Sequence, residues 1–101
     1  MSIITLLNKL NLKGDLRYYI LDAVEYLVDN DISFLDINLE GDIYPFLAEE
    51  YGLSFKTIKT KMIRSLNEHK KENPKLINKY FKTSSKITVK KLLILILLET
   101  E

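Results

Sequence analysis

From Ile3 to Leu98 the apolar residues of this chain recur at three- and four-residue spacings, and nowhere do they alternate with polar residues for more than four positions. That period belongs to helices, because an α-helix turns once in about 3.6 residues whereas a strand repeats every two. No segment is patterned for a sheet, so the chain is expected to be all-α. With 101 residues it has room for one core. A hydrophobic share of 47% beside a charged share of 29% suits a folded globule, not a disordered chain.

Punctuation divides the pattern. Ser2 can cap a first helix over about 2–12, carried by Ile3, Leu6, Leu7 and Leu10. Gly14 breaks it, and Asp15 is placed to cap a second helix over 16–29, whose apolar stripe is Leu16, Tyr19, Ile20, Ala23, Val24 and Leu27. Asn30 and Asp31 read as its stop. A short turn near 33–37 and a loop at 39–42 lead to a helix over 44–51, which tolerates Pro45 because the first turn needs no intrahelical donor there. Ser54 caps a long helix to about 71, Pro74 opens a short one to about 81, and Thr88 caps a last one through 98. The expectation is one domain over residues 1–101, a bundle of about six or seven short helices.

Several chemistries are excluded by residue type. The chain has no cysteine and one histidine, His69, which removes disulfides, thiolate sites, cysteine nucleophiles and multi-histidine metal sites. His69 reads as a helix-end ring packed on the core. The carboxylates of the first half are spread along exposed helix faces with no glycine-rich phosphate loop near them. A non-enzymatic protein with no cofactor and no small-molecule substrate is therefore expected. The longest apolar run, 92–98, has seven residues, far short of the roughly 20 needed to span a bilayer. No signal-peptide pattern precedes it, so no membrane partner and a cytoplasmic location are expected. The run reads as core, with a dimer surface as the alternative.

The nearly neutral total conceals a segregation of charge. Residues 1–52 carry three basic and ten acidic groups, whereas residues 54–91 carry twelve basic groups against only Glu68 and Glu72. Such asymmetry points to a polyanionic partner.

One segment has the spacing of a helix-turn-helix: Leu47, Ala48, Gly52, Leu53, Ser54 and Ile58. Ala48 is small where two helices would cross, Gly52 supplies a left-handed turn, Leu53 plugs the angle, Ser54 caps the second helix and Ile58 packs back on the first. Lys61 stands where a further apolar residue is expected, and Met62 takes the packing role one position later. At about 100° per residue, Phe55, Ile58, Met62, Leu66 and His69 fall on one side of the second helix. Thr57, Thr60, Lys61, Arg64, Asn67 and Lys71 fall on the other, flanked by Lys56 and Lys59, with Glu68 at the edge. Lys and Arg supply phosphate contacts, and Arg, Asn and Thr can read base edges. These eight residues, from Lys56 to Lys71, form the candidate site for double-stranded DNA. Lys75, Lys79, Lys82 and Lys86 extend the basic track.

Taken in order, these motifs resemble the C-terminal DNA-binding domain family of the stage-zero sporulation response regulator, the sporulation initiation transcription factor of endospore-forming bacteria. The resemblance rests on Ile3, Leu6, Leu7 and Leu10 in the first helix, then on Gly14, Tyr18 or Tyr19, and Ala23 in the second. It continues through Asp31, Ile32 and Leu35, then Tyr44, Pro45 and Ala48, then Asn73, Ile77 and Phe81, and ends at Thr88. It implies an all-α effector domain that binds a duplex through a helix-turn-helix, as a homodimer or tandem pair, and regulates transcription. Two departures accompany it. The family joins this domain to a phosphoacceptor receiver domain, and no receiver pattern occurs here, as in a stand-alone relative or a fragment. Thr57, Lys59 and Thr60 stand where the family carries Arg, Glu and Arg, so its operator preference does not transfer and modest sequence discrimination is expected. The alternative is a receiver-less interaction module that modulates a full-length regulator.

Overall fold

The computed structural model describes residues 2–100. Six α-helices follow one another: α1 (Ile3–Lys9), α2 (Gly14–Asp29), α3 (Tyr44–Tyr51), α4 (Phe55–Glu72), α5 (Leu76–Tyr80) and α6 (Val89–Thr100). A 3₁₀ turn (Phe34–Asp36) and a π-helical turn (Leu39–Ile43) lie between α2 and α3, and no strand occurs among the described residues. The expected all-α bundle is what forms.

Local chemistry explains most of the boundaries. Ser2, Ser33 and Ser54 each accept a backbone N–H with the hydroxyl, opening α1, the 3₁₀ turn and α4. Thr88 does the same for α6, its Oγ1 accepting from Lys91 N at 3.2 Å. Four helices end alike, with one residue in the left-handed region and paired backbone bonds closing the last turn. Those residues are Asn11, Asp31, Gly52 and Lys82. After each, the next residue donates its N–H back across the turn: Leu12 to Leu7 O, Ile32 to Leu27 O, Leu53 to Ala48 O and Thr83 to Asn78 O, all at 2.9–3.0 Å.

Some boundaries move from where the sequence puts them. Asp15 sits in the first turn of α2 and does not cap it; the capping position is Lys13, without a side-chain bond, because Gly14 already turns left-handed at φ +59°. The loop expected at 39–42 closes into the π turn, held by Asn38 Oδ1 accepting from Gly41 N at 2.9 Å. Pro74 does not open α5. It takes the second position of a turn closed by Leu76 N to Asn73 O at 3.1 Å, with Lys75 left-handed at φ 59°, so the helix starts two residues later. Asn73 is fixed there by Asn11, whose Nδ2 donates to its Oδ1 at 2.8 Å.

The core sits where α2, α4 and α6 meet. All six stripe residues expected for α2 are buried, as are Ile58, Met62, Leu66 and His69 of α4. From α6, Leu92, Leu93, Ile96 and Leu97 enter the core while Leu98 stays 45% exposed. The run of α6 thus gives four of its seven residues to the core, with Ile94 and Leu95 partly buried against it, and no helix among the described residues is long and apolar enough to cross a membrane.

Two stability outcomes follow from this packing. Leu93 and Leu97 are fully enclosed, so Leu93→Ala or Leu97→Ala should each cost about 2–5 kcal/mol in a denaturation experiment, with no change of mass by light scattering. At Gly52 an added Cβ meets nothing within 4 Å, so only the backbone resists. Gly52→Val should cost about 1–3 kcal/mol, and Gly52→Asn distinctly less, since asparagine tolerates the left-handed region. Thermal melts of the pair check this.

Candidate nucleic-acid interface

The hairpin of α3 and α4 turns at Gly52, which has φ 63° and ψ 33°. Leu47 and Ile58 are completely buried on either side of the turn, and Leu53, within it, is partly buried against the core. Tyr44 meets Phe55 edge-to-face at 5.6 Å, tying the start of α3 to the start of α4. At the other end of α3, Tyr51 stands edge-on to Tyr19 at 4.8 Å, and its hydroxyl donates to Asp22 Oδ2. The hairpin is thereby clamped to α2.

With one face of α4 buried, the other is a continuous exposed stripe: Lys56, Thr60, Ile63, Arg64, Asn67 and Lys71. Those positions recur every three or four residues along the helix. At 18 residues, α4 is about 27 Å long, enough to lie along a DNA major groove about 12 Å wide. Thr60, Ile63, Arg64, Asn67, Glu68 and Lys71 line a shallow groove on this face.

The remaining three candidate residues are held otherwise. Thr57 is half-buried in the cap: its N–H donates to Ser54 Oγ at 3.1 Å, and Ser54 Oγ donates to its Oγ1 at 2.9 Å. Lys59 is half-buried and pairs with Glu40 of the π turn at 2.5 Å. Lys61 also leaves the outward stripe; its Nζ lies 3.9 Å from Asp15 Oδ2 at the start of α2. Both acids come from segments distant in sequence, so the shortage of carboxylates within α4 did not reveal them. Among the described residues these are the two ion pairs, and Lys56, Arg64 and Lys71 take part in neither.

Sequence reasoning did not single out Ile63, 43% exposed in the middle of the stripe; its signal is the 3–4 spacing from Thr60 and Asn67. Glu68 is the one acidic residue that lines the shallow groove, at its edge; further exposed acids stand on the neighbouring helix. Glu49 and Glu50 are exposed at the end of α3, so the first helix of the hairpin offers carboxylates to solvent.

The basic track continues beyond α4. Lys70 Nζ donates to Ile87 O at 2.9 Å, fixing the segment before α6 against α4. Asn78 Nδ2 donates to Thr83 O and Ser85 O at 3.0 and 2.8 Å. That double bond shapes a shallow basin ringed by Lys70, Lys75, Lys79, Lys82 and Lys86, all expected members of the track save Lys70. His69 is buried as expected. Its Nε2 lies 2.7 Å from Leu10 O, and because a carbonyl only accepts, Nε2 carries the proton. No group of three or more His, Asp or Glu among the described residues could hold a metal ion.

Compared with protein-family models, with curated proteins and with solved structures, the chain finds no match in any of the three.

Three tyrosines of the hairpin and its support ionise late. Burial raises Tyr19, with Asp15 adding to it, and burial raises Tyr44, with Glu40 adding to it. Burial raises Tyr51 furthest, reinforced by its hydrogen bond to Asp22. Each phenol is therefore easier to ionise in the unfolded chain, where the value is 10.0. Their contribution to stability is whole below that pH and lost as pH climbs through the higher folded values. Denaturation midpoints should accordingly fall above about pH 10, and Tyr51→Phe should flatten that fall.

Proposed function

We propose that this protein is a non-enzymatic regulator of transcription that binds duplex DNA through the exposed stripe of α4. The observation that carries the reading is the pairing of a glycine-turned helical hairpin with a second helix whose free face holds Lys56, Arg64 and Lys71 outside any ion pair among the described residues. Such a helix matches a major groove in length and sign. Lysines and the arginine neutralise phosphates, and Arg64, Asn67 and Thr60 present donors and acceptors to base edges. The lysine basin between α5 and α6 follows the backbone beyond the groove, while exposed Glu49 and Glu50 keep α3 away from phosphate. The resemblance to the sporulation effector domain family supports the same reading, with a location in the cytoplasm and a homodimer or tandem pair on the DNA as its corollaries.

A second reading, a receiver-less interaction module acting on a full-length regulator, draws on Leu35, which is 77% exposed in the 3₁₀ turn of the acidic first half of the sequence.

A duplex titration by fluorescence anisotropy, from low to physiological salt, separates the two. The DNA reading expects binding that weakens steeply with salt. Lys71→Ala should weaken all sequences alike and reduce the salt slope by about one unit. Lys61→Ala should do less, because Lys61 already faces Asp15. Arg64→Ala should relax discrimination at one base pair, worth roughly 1–3 kcal/mol. Absence of duplex binding at low salt defeats this reading in favour of the second.

A further inference from the structure

A concavity of about 330 Å³ opens between α4 and the start of α6, beside the exposed stripe. Its floor is apolar, made of the buried residues Tyr44, Leu66, Ile87 and Val89. Its rim holds lysines and no carboxylate. Of these, Lys70 is engaged with the Ile87 carbonyl, whereas Lys86 and Lys90 are exposed and form no ion pair among the described residues. Thr88 and Val89 bring the first turn of α6 to the same mouth, adding the positive end of a 12-residue helix. The volume falls within the range of small-molecule sites, about 300–1,000 Å³, and the mix of apolar wall with few polar groups is theirs as well.

We propose that this cavity binds a small soluble amphiphilic anion, a medium-chain carboxylate, with its hydrocarbon against Leu66, Ile87 and Val89 and its carboxylate between Lys86 and Lys90. Apolar burial supplies the attraction, and the two unpaired ammonium groups select the sign of the head. Ile63 and Asn67 line both this cavity and the groove on the outer stripe. A bound ligand therefore fixes two side chains of the surface offered to DNA, making the cavity an effector site. The binding stands on the cavity alone; its consequence for duplex affinity rests on the DNA reading.

The test is a titration of the methyl-labelled protein with octanoate, followed by nuclear magnetic resonance. Saturable shifts should appear at Ile63, Leu66, Ile87 and Val89. Octylammonium, the same chain with the opposite charge, should bind roughly tenfold more weakly or worse. Lys86→Ala combined with Lys90→Ala should weaken octanoate by roughly the same factor while leaving the melting temperature in place, both side chains being exposed. Shifts that never saturate, equal affinity for octylammonium, or a response to anionic phosphatidylglycerol vesicles without one to octanoate would each overturn the proposal. Octanoate should also change the anisotropy-measured affinity for a duplex. If no duplex binds at all, the DNA reading falls and the methyl shifts still decide the cavity; if a duplex binds and octanoate leaves its affinity unchanged, the effector role falls.

Discussion

Helix α4 has to bury Ile58, Met62, Leu66 and His69 together, and that requirement orients everything else on the helix. A helix is rigid in its angular spacing, so fixing one face fixes the opposite one. Once the buried stripe docks between α2, α3 and α6, Lys56, Thr60, Arg64, Asn67 and Lys71 can only point to solvent. The clamps around the hairpin serve the same end. Tyr44 against Phe55, Tyr51 against Tyr19 and Asp22, and His69 against the Leu10 carbonyl hold α4 at both ends as well as along its length. A surface presented this way is preorganised, and a partner does not have to order it on binding.

Electrostatics then sharpens the outward face. Glu40 and Asp15 pair with Lys59 and Lys61 at the flanks, while Lys56, Arg64 and Lys71 take part in neither ion pair and Glu68 alone adds a carboxylate to the outer groove. Exposed ion pairs of this sort add little to stability, on the order of 1 kcal/mol at most. Their larger effect is to offset two of the lysine charges of α4 on its flanks. At physiological ionic strength the field of an exposed charge decays over about 8 Å, so acids beyond that reach have little effect on the stripe.

What could be read from the sequence was what is decided locally. The buried stripes of α2 and α4, the Ser54 cap and the left-handed turn at Gly52 depend on residues within a few positions of one another, and all stand where expected. Four residues of the run 92–98, Leu92, Leu93, Ile96 and Leu97, are core as expected, at the spacing of one helix face. Two failures were local, the Asp15 cap displaced by left-handed Gly14 and the π turn closed by Asn38; others came where distant segments decide. Asn11 holds Asn73 across 62 positions, and the chain at Pro74 consequently turns before it can start a helix. Lys59 and Lys61 looked free because their partners lie in the π turn and at the start of α2. Three of the four left-handed helix ends use Asn, Asp or Lys instead of glycine, so the strongest local signal for such an end was present only at Gly52. The cavity beside α4 had no sequence signature, since its floor is assembled from α3, α4, the start of α6 and the segment before it.

One consequence concerns how such a surface changes over time. The outer stripe of α4 makes no ion pair, helix cap or side-chain hydrogen bond among the described residues, and exposed substitutions of that sort usually shift stability by less than about 0.5 kcal/mol. The inner stripe is the reverse: Ile58 and Met62 are fully enclosed, and losing either volume would cost several times more. The outward residues can therefore be exchanged while the docking of the helix is kept. Thr60 standing where the resembled family carries arginine is then no defect of the fold. Thr57 is different, because its hydroxyl belongs to the Ser54 cap, and an arginine there would forgo that bond. On the proposed DNA reading, specificity can diverge freely along Thr60, Ile63, Arg64 and Asn67, and at Thr57 only against the local cost of the cap.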